Sequence, residues 1–329
     1  MASGEHLKAL LRSHIKGDDS HFLAVAMQMA AHEAKQGHGK LAEDLRTLID
    51  SAQSKRKQMP SAQPVPIGQP RGELSNLLSV ALPQTRFSEM ILDDATHGRL
   101  ARIINEQRNF EKIRAHGLSP RRKLLLVGPP GTGKTMTASA LAGELGIPLY
   151  IVRLDSLITK FMGETAAKLR QVFDAIRDTR GIYFFDEFDA LGSQRGLAND
   201  VGEIRRVLNR FLQMIEQDQS NSLIIAATNH PEILDYALFR RFDDVIEYGL
   251  PNPEQIHAVL KNRLVNFSKS IKCWDDLMEA AQGLSYAELA RAADDSIKDA
   301  IIHDRGDVDA RDVAKHLAER KAFHGRQRQ

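Results

Sequence analysis

At 329 residues the chain is about twice the length of an average domain, so two or more domains are expected, and with 42% hydrophobic and 27% charged residues it has material for a sizeable core. Its 45 Lys and Arg against 43 Asp and Glu leave a formal charge of +2, which gives no overall ground for a nucleic-acid or anionic-membrane binder. One cysteine, Cys273, excludes an internal disulfide framework and a multi-cysteine zinc site.

From the N-terminus, Lys8, Arg12, His14 and Lys16 interrupt any apolar run before a signal peptide could form. No window approaches the roughly 18 apolar residues that a membrane-spanning helix needs, so the chain reads as soluble, cytoplasmic and without a membrane span. Residues 1–56 carry leucine-rich stripes at helical spacing (Leu7, Leu10, Leu11, Ile15; later Leu41, Leu45, Leu48) and read as a helical interaction or recruitment module. Residues 57–86 open with Pro60, Pro64, Pro66 and Pro70, which neither helix nor central strand tolerates, and are assigned to an extended linker.

From about residue 87 to residue 252, helical stretches alternate with short β-rich runs at Lys123–Val127, Leu149–Val152, Ile182–Phe185, Leu223–Ala227 and Val245–Tyr248. That alternation predicts an α/β fold, a mostly parallel sheet wrapped by helices. Past Pro251-Asn252-Pro253 the strands stop, and residues 253–329 read as a small all-α lid of four helices with a basic tail.

Directly after the apolar run Leu124–Val127 comes Gly128-Pro129-Pro130-Gly131-Thr132-Gly133-Lys134-Thr135, the spacing of a P-loop between a strand and a helix. Its glycines let backbone N–H groups curl around phosphate oxygens, and the following helix points its positive end at them. Lys134 then neutralises phosphate charge, and Thr135 offers a hydroxyl to Mg²⁺. Fifty residues on, the strand Ile182–Phe185 ends in Asp186-Glu187. Two acids at the end of a buried strand need a cationic partner. Asp186 suits Mg²⁺ and Glu187 suits polarising an attacking water, which points to hydrolysis rather than phosphotransfer.

With these motifs in order, about residues 88–320 resemble the AAA+ ATPases. The branch is the one with the second region of homology, home of katanin-, spastin- and fidgetin-like remodellers and of FtsH-type motors. The resemblance implies an ATP site built from Gly128–Thr135 with Met136, and Walker B acids in Asp186 and Glu187. It makes Asn229, in Ala226-Ala227-Thr228-Asn229, a sensor that orients the lytic water. It makes Arg240 and Arg241 fingers that reach a neighbouring subunit's γ-phosphate, and so implies a homo-oligomeric ring, a hexamer. It reads Lys160, Phe161, Met162 and Gly163 as the first pore loop, gripping a protein client, with a second loop around residues 196–201. The adenine is expected near Ile91–Ala95 and the lid's Ser285–Ala287.

The sequence departs from the branch pattern at Thr165-Ala166-Ala167, where Ser-Glu-Lys is common, at His230, where an Arg is usual, and at Tyr236, where a Pro is usual, while in the lid Gly283-Leu284-Ser285-Tyr286-Ala287-Glu288-Leu289 resembles the branch's Gly-x-Ser-Gly-Ala-Asp-Leu. The expected function is Mg²⁺-dependent ATP hydrolysis that remodels a protein client recruited by the N-terminal module. The alternative is a nucleic-acid-handling AAA+ ATPase, a loader or transposition helper, resting on the bases Lys55-Arg56-Lys57, Arg121-Arg122-Lys123, Arg326 and Arg328. A non-catalytic scaffold has no use for Glu187, Asn229 and both arginines. No His-Glu-x-x-His is present, so any proteolysis belongs to a partner.

Overall fold

The computed structural model describes residues 43, 70, 72–157, 162–188, 201–233, 236–267, 271 and 274–327, with backbone alone at 162, 201–206, 233, 236, 237 and 324–327. Two units divide the chain, Met1–Ile67 and Gly68–Gln329, and every element named below belongs to the second. The helical module expected over residues 1–56 lies, Glu43 apart, outside the described residues.

The chain order is α1 (Leu74–Leu77), β1 (Leu78–Ala81), α2 (Asp94–Arg108), α3 (Phe110–Ala115), β2 (Lys123–Val127), α4 (Lys134–Leu145), β3 (Leu149–Val152), α5 (Leu154–Leu157) and α6 (Met162–Asp178). It continues with β4 (Ile182–Phe185), α7 (Val201–Gln217), β5 (Leu223–Thr228), α8 (Tyr236–Phe239) and β6 (Asp244–Glu247). Four helices complete it: α9 (Pro253–Arg263), α10 (Asp275–Ala281), α11 (Tyr286–Ile302) and α12 (Ala310–Gln327).

The six strands form one sheet in the order β1-β3-β4-β5-β2-β6, parallel throughout except for β1 against β3. In β2, β4 and β5 nearly every side chain is buried, because helices cover both faces. The two-residue period still sorts them. Leu125, Tyr183, Phe185 and Ile224 join one core, where the rings of Phe173, Phe185 and Phe211 meet edge-on or stacked. Leu124, Leu126, Phe184 and Ile225 join the other, under α2 and α4.

Residues 74–81 correct the extent of the linker. Leu77 and Leu78, 2% and 4% exposed, cover the sheet edge, and Arg153 N–H donates to the Leu77 carbonyl at 2.9 Å. The strand itself is only the four residues Leu78–Ala81, between Gly72 and Pro83, too short a run to stand out from a proline-rich background. The other strands fall where the sequence put them, to within a residue.

The basic triplet behind the nucleic-acid alternative is structural. Arg121 pairs with Glu106 and Asp244. Arg122 is buried and pairs with Asp218 at 2.8 Å. Lys123 donates to the Glu216 carbonyl at 3.2 Å, and its ammonium is held below the usual lysine range by burial and by Arg122 beside it. Lys55–Lys57 and the side chains of Arg326 and Arg328 lie outside the described residues. In the lid, Asn252 caps α9 through Gln255 N–H at 2.8 Å with Pro253 in the first turn, and α9, α10, α11 and α12 share a third core around Leu260, Leu289 and Leu317.

Candidate active site

The β2–α4 loop carries the predicted phosphate cradle. Gly131 adopts φ +75°, and a Cβ there would stand 2.6 Å from the Ser285 hydroxyl of the lid. Only glycine lets the loop take this turn with the lid so close. Gly128 lies under the carbonyl of Tyr248, where an added Cβ would come within 2.3 Å. Tyr248 holds both ends of the loop: its N–H donates to Val127, and its hydroxyl meets Thr137 of α4 at 2.7 Å. Burial, and secondarily the negative charge of Asp93, keep that phenol well above the ordinary tyrosine range against the opposing hydrogen bond.

Lys134 is buried and folds onto the loop, donating to the Gly128 and Pro129 carbonyls at 2.7 and 2.8 Å. Thr135 donates its hydroxyl to Asp186 at 2.9 Å, joining the loop to the end of β4 across 51 positions of sequence. A hydroxyl and a carboxylate held together are hard oxygen donors of the kind Mg²⁺ takes while keeping several waters. Glu187 follows with φ +49°, a left-handed conformation costly for a non-glycine residue and typical of strained functional positions.

Pro130, Gly131, Thr132, Gly133, Thr135 and Met136 line a cleft of about 700 Å³ together with Lys134, Asp186, Glu187 and Asn229. The volume suits a nucleotide-sized ligand. Pro129 contributes its carbonyl to Lys134 and to the Thr132 hydroxyl, the latter at 2.8 Å. On the expected base side, Ile91, Leu92, Tyr286 and Ala287 line the cleft, whereas Asp93 turns away to cap α2 through Thr96 N–H at 2.8 Å. Sequence reasoning missed Met90, Val259, Asn262, Arg263 and Ala290. Met90 lies in the connection before α2, and although the helices of the other four were legible, no local spacing marks which faces of α9 and α11 turn toward the loop.

Arg240 is exposed, and Arg241 lies 3.8 Å from Glu216; neither is among the described residues lining the cleft. His230 contacts Glu232 at 3.0 Å, and its N–H donates to the Thr228 hydroxyl. Of the expected pore loop, Gly163 is exposed at the start of α6. Lys160, Phe161 and the side chain of Met162 lie outside the described residues, as do residues 196–200. Among the described residues, no helix is long and apolar enough to cross a membrane.

A parallel sheet, a glycine loop opening onto a helix, and two acids ending a strand one place further along the sheet, beneath a helical lid, define a P-loop nucleoside triphosphatase. The family model described as "ATPase family associated with various cellular activities (AAA)" matches residues 124–250. The chain is 36% identical over 331 aligned residues to an uncharacterized AAA family ATPase, y4kL, of Sinorhizobium fredii, covering 99% of this chain and 98% of that one. It is 34% identical over 250 residues to the ATP-dependent zinc metalloprotease FtsH of Acidothermus cellulolyticus, covering 72% of this chain and 37% of the relative. The crystal structure of the FIGL-1 AAA domain superposes with a TM-score of 0.59 at 26% identity, covering 74% of this chain and 86% of that one. The chain belongs to the AAA family of ATPases, in the branch with FtsH and FIGL-1, and is an ATP-binding, ATP-hydrolysing enzyme. It spans little more than a third of that FtsH, so the zinc protease activity in that name stays with that protein.

Proposed function

We propose that this ATPase uses Mg²⁺ and works as a ring-shaped homo-oligomer, a hexamer, that remodels, unfolds or disassembles a protein client through a central pore. The observation that carries the reading is the 2.9 Å bond from Thr135 to Asp186 inside the loop-and-lid cleft, while Arg240 and Arg241 stand outside that cleft. A hydrolytic site with its ion ligands preassembled and its arginines elsewhere is completed by a neighbour's arginines. A head-to-tail interface of that kind forms a ring when its rotation closes.

Thr135 and Asp186 would hold the ion, which supplies positive charge at the phosphate oxygens when bound. Lys134 exchanges its loop carbonyls for phosphate oxygens. Glu187 takes a proton from water, Asn229 orients that water, and Arg240 and Arg241 act on the site of the next copy. FtsH, by its name an ATP-dependent protease, gives a precedent for coupling this core to work on polypeptide. Phe161 and Met162 supply apolar grip on a chain of any sequence. Residues 1–56 recruit the client, the proline-rich stretch from residue 57 up to the helix at Leu74 tethers them, and the sheet core to residue 252 and residues 253–329 are the motor and its lid, in a cytoplasmic setting.

The test is the turnover and solution mass of the full chain with Mg²⁺-ATP, beside Glu187→Gln. The expected result is an assembled wild type that turns over, and a variant that stays assembled with turnover reduced at least about 100-fold. A monomer with full activity would overturn the ring, and client processing that survives Phe161→Ala would overturn the pore.

A further inference from the structure

Tyr248, one position beyond β6, is 7% exposed and is not among the described residues that line the cleft, yet it meets the phosphate loop at both ends. At the first end its N–H donates to the Val127 carbonyl at 2.7 Å, and its own carbonyl presses on Gly128. At the last end its hydroxyl meets Thr137 at 2.7 Å, and the Thr137 hydroxyl donates to the Gly133 carbonyl at 3.1 Å. A threonine has one hydroxyl proton, so the phenol is the donor toward Thr137. Burial holds the phenol above the ordinary tyrosine range and keeps that proton in place near pH 7. The chain of bonds ends on the peptide between Gly133 and Lys134. In a trans peptide the carbonyl and the N–H point opposite ways, so a carbonyl tied to α4 turns the Lys134 N–H back toward the loop.

A loop already in its bound shape needs no ordering when the ligand arrives, and binds more tightly without any new contact. We infer that Tyr248 is a positioning residue for ATP hydrolysis, acting through Thr137 to set the Gly133–Lys134 peptide for phosphate before nucleotide binds. The inference rests on the ATP-site reading above and adds to it a residue outside the cleft. Backbone N–H groups of the loop meet phosphate oxygens in the ground state and the transition state alike. Losing the preset shape therefore raises KM and leaves kcat near its wild-type value. The loss falls on the phosphate end alone, so ATP and inorganic tripolyphosphate, which carries no base, weaken equally.

The experiment compares wild type, Tyr248→Phe, the double variant Tyr248→Phe/Thr137→Val and Lys134→Ala in the full chain. It reads KM and kcat for Mg²⁺-ATP, equilibrium binding of ATP and tripolyphosphate, and the urea midpoint. Tyr248→Phe should raise the KM for ATP about fivefold, weaken both ligands to the same extent and leave kcat within about twofold of wild type. The double variant separates positioning from stability. With both hydroxyls gone neither strands the other, so its urea midpoint returns toward wild type. Its KM stays raised, because no side chain then holds the Gly133 carbonyl. An unchanged KM in Tyr248→Phe, a KM that recovers with the midpoint in the double variant, or a loss for ATP that tripolyphosphate does not share would overturn the inference. Lys134→Ala tells its failure from that of the site. That variant should weaken both ligands, and if it weakens neither while wild type binds them, the phosphate site is elsewhere and both readings fail.

Discussion

Thr137 gives its proton to the Gly133 carbonyl at 3.1 Å and receives the Tyr248 hydroxyl at 2.7 Å, so one buried threonine joins the phosphate loop to the end of β6. Tyr248→Phe leaves Thr137 with its other bond and should cost about 1 kcal/mol, the net value of one hydrogen bond. Thr137→Val strands the buried phenol without a partner and should cost more, about 1–3 kcal/mol. Urea midpoints for the two variants check the order, and equal losses would contradict it. Asp93 gives a pH-dependent counterpart. Burial raises its pKa, but the hydrogen bonds from Thr96 outweigh burial and hold the carboxyl below its usual range. Its contribution is therefore complete above the ordinary aspartate pKa and is lost as pH falls through the lower folded value. Asp93→Asn should flatten that acid limb of the stability curve, read from denaturation midpoints at pH 7 and pH 3. That Lys134, Thr135, Asp186 and Glu187 meet in one cleft was legible from sequence, because the P-loop spacing and a pair of acids ending an apolar strand are local patterns. Tyr248 was not, since its role depends on the sheet bringing β6 beside β2.

Among elements, β2, β4 and β5 announce themselves as unbroken apolar runs, the mark of strands covered on both faces. β1 stayed hidden because an edge strand needs few apolar residues and sits here next to prolines. The lid helices were legible from their punctuation, Pro253 at one start and Gly283 at one break. Which faces they turn to the cleft was not, because that is set by packing on the loop. The Arg121–Lys123 stretch shows the same limit: charge in sequence does not say whether a base faces solvent or a carboxylate. Arg122 meets Asp218 with both side chains nearly buried, 11% and 5% exposed. Removing the base alone, in Arg122→Ala, leaves a buried carboxylate and should cost about 3–5 kcal/mol by chemical denaturation. A loss under about 1 kcal/mol would mean the pair behaves as a surface ion pair.

For the whole molecule, the proposed assembly rests on how one chain divides its residues between cleft and surface. The cleft holds Lys134, Thr135, Asp186, Glu187 and Asn229, whereas Arg241 lies by Glu216 at the end of α7 and Arg240 is exposed. The proposed account has each site borrow the arginines of the next copy. The most direct measurement is turnover in a mixture of two variants, Glu187→Gln, with intact arginines, and Arg240→Ala/Arg241→Ala, with an intact cleft. Each alone should be nearly inactive, the arginine variant by a factor of about 10³–10⁵. Mixing should restore a substantial part of wild-type activity at the sites where an intact cleft faces intact arginines. An arginine variant that hydrolyses ATP at the wild-type rate alone, or a mixture no more active than its parts, would contradict the shared site and the ring built on it.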